Sequence, residues 1–288
     1  GDLSLRVLHN NLIDLAATTL TVSSQTAGYP PSLLKDTLRK RRWRATGKTE
    51  ENIVAQIPGG NTVSCFAIVG HNLSDTATVE VLRSTNNILY TSMGSFRITP
   101  TEAVGFGEGF FGFGGFGGVT ASEVLAGTTQ ALFFTESSTT TYPYWKVIIK
   151  DVSQAQTYVE VGRIFFGPYW EPANQIVPGW RIDVNDPSNI FQLISNQKID
   201  NRKDLSLRLS FQLPHLNPAD ALTNLLSILR NGATKKDVFV VLFPSTSSLF
   251  LKDVTTVYGR FLADSEISLT QIGYHTFDTG VLVFEESL

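Results

Sequence analysis

The chain has 288 residues, 42% of them hydrophobic, and a formal net charge of -3. That length exceeds one ordinary domain and that composition supplies real cores, which excludes wholesale disorder. The mildly negative balance excludes a global attraction to nucleic acid or to an anionic membrane.

Thr, Val, Phe, Ile and Tyr recur in short runs broken by Gly, Pro, Asn and Ser, so a mainly β fold is expected. The opening Gly1-Asp2-Leu3-Ser4-Leu5-Arg6 lacks the basic and apolar regions of a signal peptide. No apolar stretch reaches the roughly 18 residues needed to span a bilayer. Any exit from a cell is therefore expected to bypass general secretion.

The first region runs from about Asn10 to Pro168, giving a first domain at 1–170. Asn11-Leu12-Ile13-Asp14 precedes a strand at Thr18 to Ser23, then a turn at Gly28-Tyr29-Pro30-Pro31, Leu33-Leu34-Lys35-Asp36 and Trp43-Arg44. Strands follow near Asn52 to Ile57, Val63 to Gly70 and Ala77 to Ser84. Their breaks are Pro58-Gly59-Gly60-Asn61 and His71-Asn72-Leu73-Ser74-Asp75. Cys65 is the lone cysteine and sits in the apolar run Val63 to Val69, where it reads as a small buried hydrophobe. A single cysteine leaves no intramolecular disulfide and suits assembly in a reducing cytoplasm.

After a long interruption the pattern resumes at Tyr144 to Asp151 and closes at Tyr158 to Gly167. Strict alternation over Tyr158-Val159-Glu160-Val161 predicts one buried and one wet face.

These residues carry a resemblance. The N-L-x-D opening at Asn11, the Gly28-Tyr29-Pro30 turn, Trp43-Arg44, the strand end Ala67 to Leu73 and Tyr144-Trp145-Lys146 resemble a discoidin or galactose-binding-like jelly roll. The closing Glu160 to Gly167 resembles the last strand of that module. The resemblance covers about 110 residues in two blocks, and modules with this wording resemble those of bacteriophage tail or tail-tip proteins. It implies a jelly-roll β-sandwich, assembly into a virion tail in the host cytoplasm, and contact with other tail proteins. It also implies calcium at the Asp36 loop, although the ligand-rich spacing of a strong calcium site is absent there.

Between the two blocks lies an insertion at about 94–140. Gly105 to Gly118 holds eight Gly, five Phe and one Glu. Glycine costs entropy to order, and Phe106, Phe110, Phe111, Phe113 and Phe116 carry apolar surface that does not stay in water. The five rings are expected to bind a partner, as a clamp on a neighbouring subunit in a ring. A lid over their own domain is the plain alternative. Membrane insertion is disfavoured because no cationic flank accompanies the aromatics.

The second region, 171–288, begins after Gly167-Pro168-Tyr169-Trp170-Glu171-Pro172. Strands are predicted at Trp180 to Val184, Ile190 to Ser195, Leu205 to Leu213, Asp237 to Phe243, Thr255 to Leu262, Ser265 to Gln271 and Phe277 to Phe284. One helix is predicted at about 217–231, with Asn217 as cap, Pro218 at its first position, and Leu222, Leu225, Leu226 and Leu229 as its apolar face. Asn231-Gly232 supplies its stop. One helix on an antiparallel sheet is an α+β layering that resembles tail-tube and distal-tail domains, which implies a homo-oligomeric ring.

No nucleophile elbow, metalloprotease helix, phosphate loop or paired-cysteine motif appears, so no enzyme and no cofactor are expected. His9, His71, His215 and His275 have no metal-pair spacing. The basic run Arg39, Lys40, Arg41, Arg42 and Arg44 around Trp43 has the chemistry to hold phosphate or stack a base. Overall charge opposes nucleic acid, and electrostatic contact with a partner's acidic surface is expected instead. Tyr29, Trp43 and Asn72 lie near predicted loops and have the chemistry of sugar contacts. Each also serves as a core anchor or turn residue, and that is the favoured reading. The expected function is a structural virion component forming a ring, and the alternative is a carbohydrate-binding module or adhesin for a bacterial surface glycan.

Overall fold

The computed structural model describes residues 4–38, 40–59, 61–98, 130–134, 142–174, 176–185, 189–192, 198–201, 206–230, 236–244, 255–262 and 269–287. The Gly/Phe segment, with Phe106, Phe110, Phe111, Phe113 and Phe116, lies outside them, as do Arg39 and the expected helix stop Asn231-Gly232.

The described residues are mainly β, in two compact units. One comprises Gly1–His9, Trp170–Ser245 and Thr255–Leu288, and the other Asn10–Tyr169. This differs from the sequence reading at the N-terminus. Strand β1 (Arg6–Leu8) pairs antiparallel with residues near the other end of the chain, Val7 opposite Val240. Val7 and Trp170 also exchange two backbone hydrogen bonds of 2.9 Å, and Arg6 meets Glu171 at 2.7 Å. A three-residue strand carries too little periodicity to be recognised, and its partner lies far along the sequence.

The Asn10–Tyr169 unit is an antiparallel jelly-roll sandwich. Its strands are β2 (Thr19–Val22), β3 (Trp43–Arg44), β4 (Glu51–Gln56), β5 (Cys65–Val69), β6 (Thr78–Ser84), β7 (Thr91–Arg97), β8 (Gln130–Phe134), β9 (Tyr144–Lys150), β10 (Glu160–Val161) and β11 (Arg163–Gly167). One sheet has the order β2-β4-β9-β6-β7; β11-β5-β8 and β10-β3 form the others. Period-two alternation turns Ile53, Ala55, Val79, Val81, Trp145, Val147 and Ile149 inward and leaves Asn52, Val54, Glu80 and Lys146 partly exposed. Against them Phe66, Ile68, Ile164 and Phe166 complete the core. The Phe166 ring lies 4.9 Å from Phe66 and 5.8 Å from Trp145 between centroids. Cys65 is buried within β5. Strands β7 and β8 occupy part of the stretch expected as insertion. Gly94, at φ 141°, and a bulge at Val81/Leu82 break the alternation that would have disclosed β7.

In the other unit the strands are β12 (Arg181–Asn185), β13 (Asn189–Gln192), β14 (Lys198–Asn201), β15 (Ser206–Phe211), β16 (Val238–Val241), β17 (Thr256–Phe261), β18 (Leu269–Gly273), β19 (Thr276–Thr279) and β20 (Leu282–Glu286). Six make an antiparallel sheet, β1-β16-β17-β20-β15-β12, while β13-β14 and β18-β19 are two-stranded. Phe239 packs on Tyr258 at 4.7 Å and Phe261 on Phe284 at 5.1 Å, so the sheet core is aromatic.

The expected helix forms with a different register. Asn217 Oδ1 accepts from the Asp220 amide at 2.8 Å, which is the cap the sequence called for. Ala219–Leu225 then winds as a π-helix before Leu226–Ile228 continues as α. The wider turns bury Ala221, Leu225 and Ile228 and leave Leu222 46% exposed, so Leu222 does not belong to the apolar face. Among the described residues no helix is long and apolar enough to cross a membrane.

Candidate functional site

Strand registers bring one set of loops to a common end of the jelly roll. Val22 lies opposite Ile53, Glu51 opposite Ile149, and Thr78 opposite both Lys150 and Arg97. Val69 lies opposite both Arg163 and Gln130. Loops 23–42, 70–77 and 151–159 therefore emerge together.

The short β3–β10 ladder sets Arg44 opposite Glu160 and Trp43 opposite Val161. Glu160 Oε1 accepts from Arg44 Nε at 2.6 Å and Nη2 at 2.5 Å, and Oε2 from Arg42 Nη1 at 3.4 Å. The same guanidinium carbon stands 4.0 Å from the Tyr29 ring centroid and 4.2 Å from that of Tyr158. Arg44 is thus held between two rings, with its charge met at the edge by a carboxylate. The Glu160 hydrogen bond pushes the Arg44 pKa up, outweighing burial, and keeps the cation fixed. Both tyrosines remain half-exposed.

Backbone ties hold this stack in place. The Thr26 amide donates to Arg44 O at 2.8 Å, the Tyr29 amide to Thr26 O at 3.0 Å, and the Ala45 amide to Val159 O at 2.9 Å. Gly28 at φ 85° makes the turn that delivers Tyr29, a conformation glycine adopts without a Cβ penalty. Asn72 Nδ2 donates to Gln156 Oε1 at 2.6 Å and Tyr158 O at 3.1 Å, while its Oδ1 accepts from the Glu160 amide at 2.7 Å.

Two of the residues with the chemistry of sugar contacts have the anchor and turn tasks that the sequence favoured for them. Trp43 is fully buried in the jelly-roll core, with its indole N–H donating to Ser24 O at 3.1 Å. With the indole turned inward, Arg44, next along the strand, faces out. Asn72 spends its amide pinning residues 156–160. Tyr29 alone of the three keeps an accessible ring edge in the cluster.

Of the basic run, Lys40 is exposed. Arg41, with its side chain 63% exposed, reaches Asp36 at 3.2 Å. Asp36 also accepts from the Leu38 amide at 3.0 Å, and that bond, then Arg41, hold its carboxyl below the usual value. Arg41, Arg42 and Arg44 thus meet carboxylates of their own chain, where the sequence assigned them to a partner's acidic surface. Asp36 serves an amide and a guanidinium, and among the described residues no group of His, Cys, Asp or Glu is arranged to hold a metal. His71 is buried and accepts at Nδ1 from the Leu73 amide at 3.3 Å.

The sequence reading missed Tyr158, Glu160 and Gln156. Its alternation over Tyr158 to Val161 was the available signal: residues two apart share a face, so Tyr158 and Glu160 had to point the same way.

No family model and no curated protein matches the chain. Solved structures do. A CBM32 module, CpGH89CBM32-5 from Clostridium perfringens in complex with GalNAc-β-1,3-galactose, is similar at 9% identity, over 55% of this chain and 100% of that one, with a TM-score of 0.39. Chitosan-binding module 1 from a chitosanase/glucanase of Paenibacillus sp. IK-5 is similar at 14% identity, over 56% and 100%, with a TM-score of 0.37. The CBM32 of AlyQ in complex with 4,5-unsaturated mannuronic acid is similar at 14% identity, over 51% and 92%, with a TM-score of 0.35. These structural neighbours are carbohydrate-binding modules.

Proposed function

We propose that this chain binds carbohydrate, without turning it over, at the end of the jelly roll that carries Tyr29, Arg44 and Tyr158. The observation that carries the reading is the stack itself: two half-exposed rings fixed by one guanidinium, at loop tips, with hydrogen-bonding groups at the edge. Pyranose C–H faces pack on aromatic surfaces, and sugar hydroxyls need fixed polar partners beside them. Preorganisation favours binding, because the rings lose little freedom when a ligand arrives.

Affinity electrophoresis through gels containing a panel of neutral and acidic polysaccharides tests this. The native protein is expected to be retarded by at least one, and Tyr29→Ala combined with Tyr158→Ala to run unretarded while keeping its circular dichroism. Undiminished retardation of the folded double variant would refute the site.

A second reading, a structural component of a bacteriophage tail or tail tip forming a homo-oligomeric ring in the virion and meeting other tail proteins, has support of another kind. The β18–β19 hairpin carries Tyr274 at 92% exposure and Ile272 at 47%. Strand β19 is tied to Leu216 by the Leu216–Phe277 bridge. Exposed apolar side chains on a two-stranded ribbon favour a protein partner. Mass by light scattering across concentration tests it: a defined oligomer lost on Tyr274→Ser is expected, and a strict monomer at every concentration counts against self-assembly.

A further inference from the structure

We infer that the β12 edge of the six-stranded sheet pairs with the same edge of a second copy of this chain, antiparallel and about a two-fold axis at Ile182. The two ends of that sheet are treated differently. At one end β1 is closed, because Val7 exchanges two backbone hydrogen bonds of 2.9 Å with Trp170. At the other end β12 is terminal, and among the described strands none pairs with its outer side. Its Arg181, Asp183 and Val184 side chains are all exposed. An open edge carries unpaired N–H and C=O groups, which proteins that stay apart guard with like charges or proline. Strand β12 has neither: its two charges are opposite in sign and meet each other, with Arg181 Nε 3.0 Å from Asp183 Oδ2.

Charge selects the occupant of that edge. On one face of the sheet Asp183 lies opposite Arg208, Arg208 opposite Glu285, and Glu285 opposite Arg260. Arg208 Nη2 reaches Glu285 Oε2 at 3.5 Å. The row alternates in sign across four strands and ends at the edge on a carboxylate, so a strand that continues it presents a cation there. A second β12 does so. A two-fold antiparallel pair keeps every side chain on its own face, which requires the axis to pass through a residue position. Centring on Arg181 or on Asp183 sets that charge against itself. Centring on Ile182 sets Arg181 of each copy opposite Asp183 of the other. The same register brings Val184 opposite Trp180 of the second copy, a β-branched side chain against an aromatic one on the other face.

This pairing rests on neither reading of function, and sedimentation velocity from micromolar to millimolar chain concentration tests it. The native protein is expected to pass from monomer to dimer, in the weak range that a short strand ladder gives. Arg181→Asp alone and Asp183→Arg alone are each expected to weaken dimerisation at least about tenfold, because two symmetric attractions become repulsions. Mixed one to one, the two reversed chains are complementary again and are expected to form a heterodimer. Both positions are exposed, so both variants are expected to keep the native circular dichroism. Where a reversed chain loses it, Val184→Lys takes its place, and a dimer that survives that cation on the edge would overturn the pairing. Tyr274→Ser is expected to leave the dimer intact; loss of the dimer there would assign the association to the β18–β19 ribbon and overturn the edge. A native chain monomeric at every concentration, a dimer indifferent to the charge reversals, or a mixture of folded reversed chains that stays monomeric would each overturn it as well.

Discussion

Asp220→Ala is expected to destabilise the unit containing the six-stranded sheet by about 3 kcal/mol at neutral pH. Asp220 is 7% exposed and carries a charge with no cation among its hydrogen-bonding partners. Its Oδ1 accepts from Trp170 Nε1 at 3.0 Å and Asn224 Nδ2 at 3.2 Å, and its Oδ2 from the Ala173 amide at 3.0 Å and Asn217 Nδ2 at 2.9 Å. Truncation strands one dry donor, the indole of Trp170, at a cost of roughly 1–3 kcal/mol. The other donors sit on exposed or half-exposed residues and regain water, at roughly 0.5 kcal/mol each. Burial alone would raise the Asp220 carboxyl, but the four hydrogen bonds outweigh it and hold the group below its ordinary value of 3.8. A depressed folded-state value means the stabilisation is present above that pH and fades as pH falls through the lower folded value. Urea unfolding followed by tryptophan fluorescence, with hydrogen exchange over residues 170–173, reads both effects. A loss under about 1 kcal/mol, or a difference between native and variant that stays constant from pH 7 down to about pH 2, would refute the reasoning.

Three further outcomes are expected. Trp43→Ala, which empties the centre of the jelly-roll core, costs about 3–5 kcal/mol in thermal unfolding, whereas Trp43→Phe, which keeps a large ring in the fully buried site, costs less. Gly167→Ala lowers stability by several kcal/mol, roughly the scale of forced backbone movement, because a Cβ there would stand 2.1 Å from Asn10 O; a melting temperature unchanged from the native chain would contradict that approach. Leu225→Ala costs about 2–4 kcal/mol and Leu222→Ala under about 0.5 in urea titration, and equal losses would mean the π register is wrong.

The mainly β class was legible because the sheet strands obey the period of two: Glu51 to Gln56 and Tyr144 to Lys150 alternate residue by residue. What escaped was non-local or irregular. Strand β1 owes its existence to Val240, far along the chain, and no local pattern announces such a partner. The helix was recognised from its cap and leucines, but a π turn advances the face at a different period, so Leu222 was placed inside and Ile228 was not. At the site, residue type suggested Tyr29, Trp43 and Asn72 alike, since aromatic and amide side chains serve cores, turns and ligands equally well. Only the fold separates the three. Glu160, the residue that organises the cluster, is one carboxylate among 26 acidic residues, and the alternation over Tyr158 to Val161 gives its face but not its partner Arg44.

The placement of Arg44 follows from the burial of Trp43. Adjacent residues of a strand point to opposite faces, so whichever side holds the indole, the guanidinium takes the other. In the two-residue β3 the large apolar side chain decides, because the core gains far more from an indole than the surface loses by presenting a guanidinium. A slip of one residue in the β3–β10 pairing would bury Arg44 beside Val159 and Val161 and expose Trp43, at the cost of a desolvated cation. The register that protects the core is therefore the register that sets Arg44 between Tyr29 and Tyr158 and against Glu160. Asn72 secures the opposite wall from a separate loop, through the Glu160 amide and the Tyr158 carbonyl, so both rings are held by backbone contacts that any ligand finds already made. Stability of the sandwich and geometry of the stack come from one ladder, which is why a substitution that spares Trp43 but removes the rings separates binding from folding.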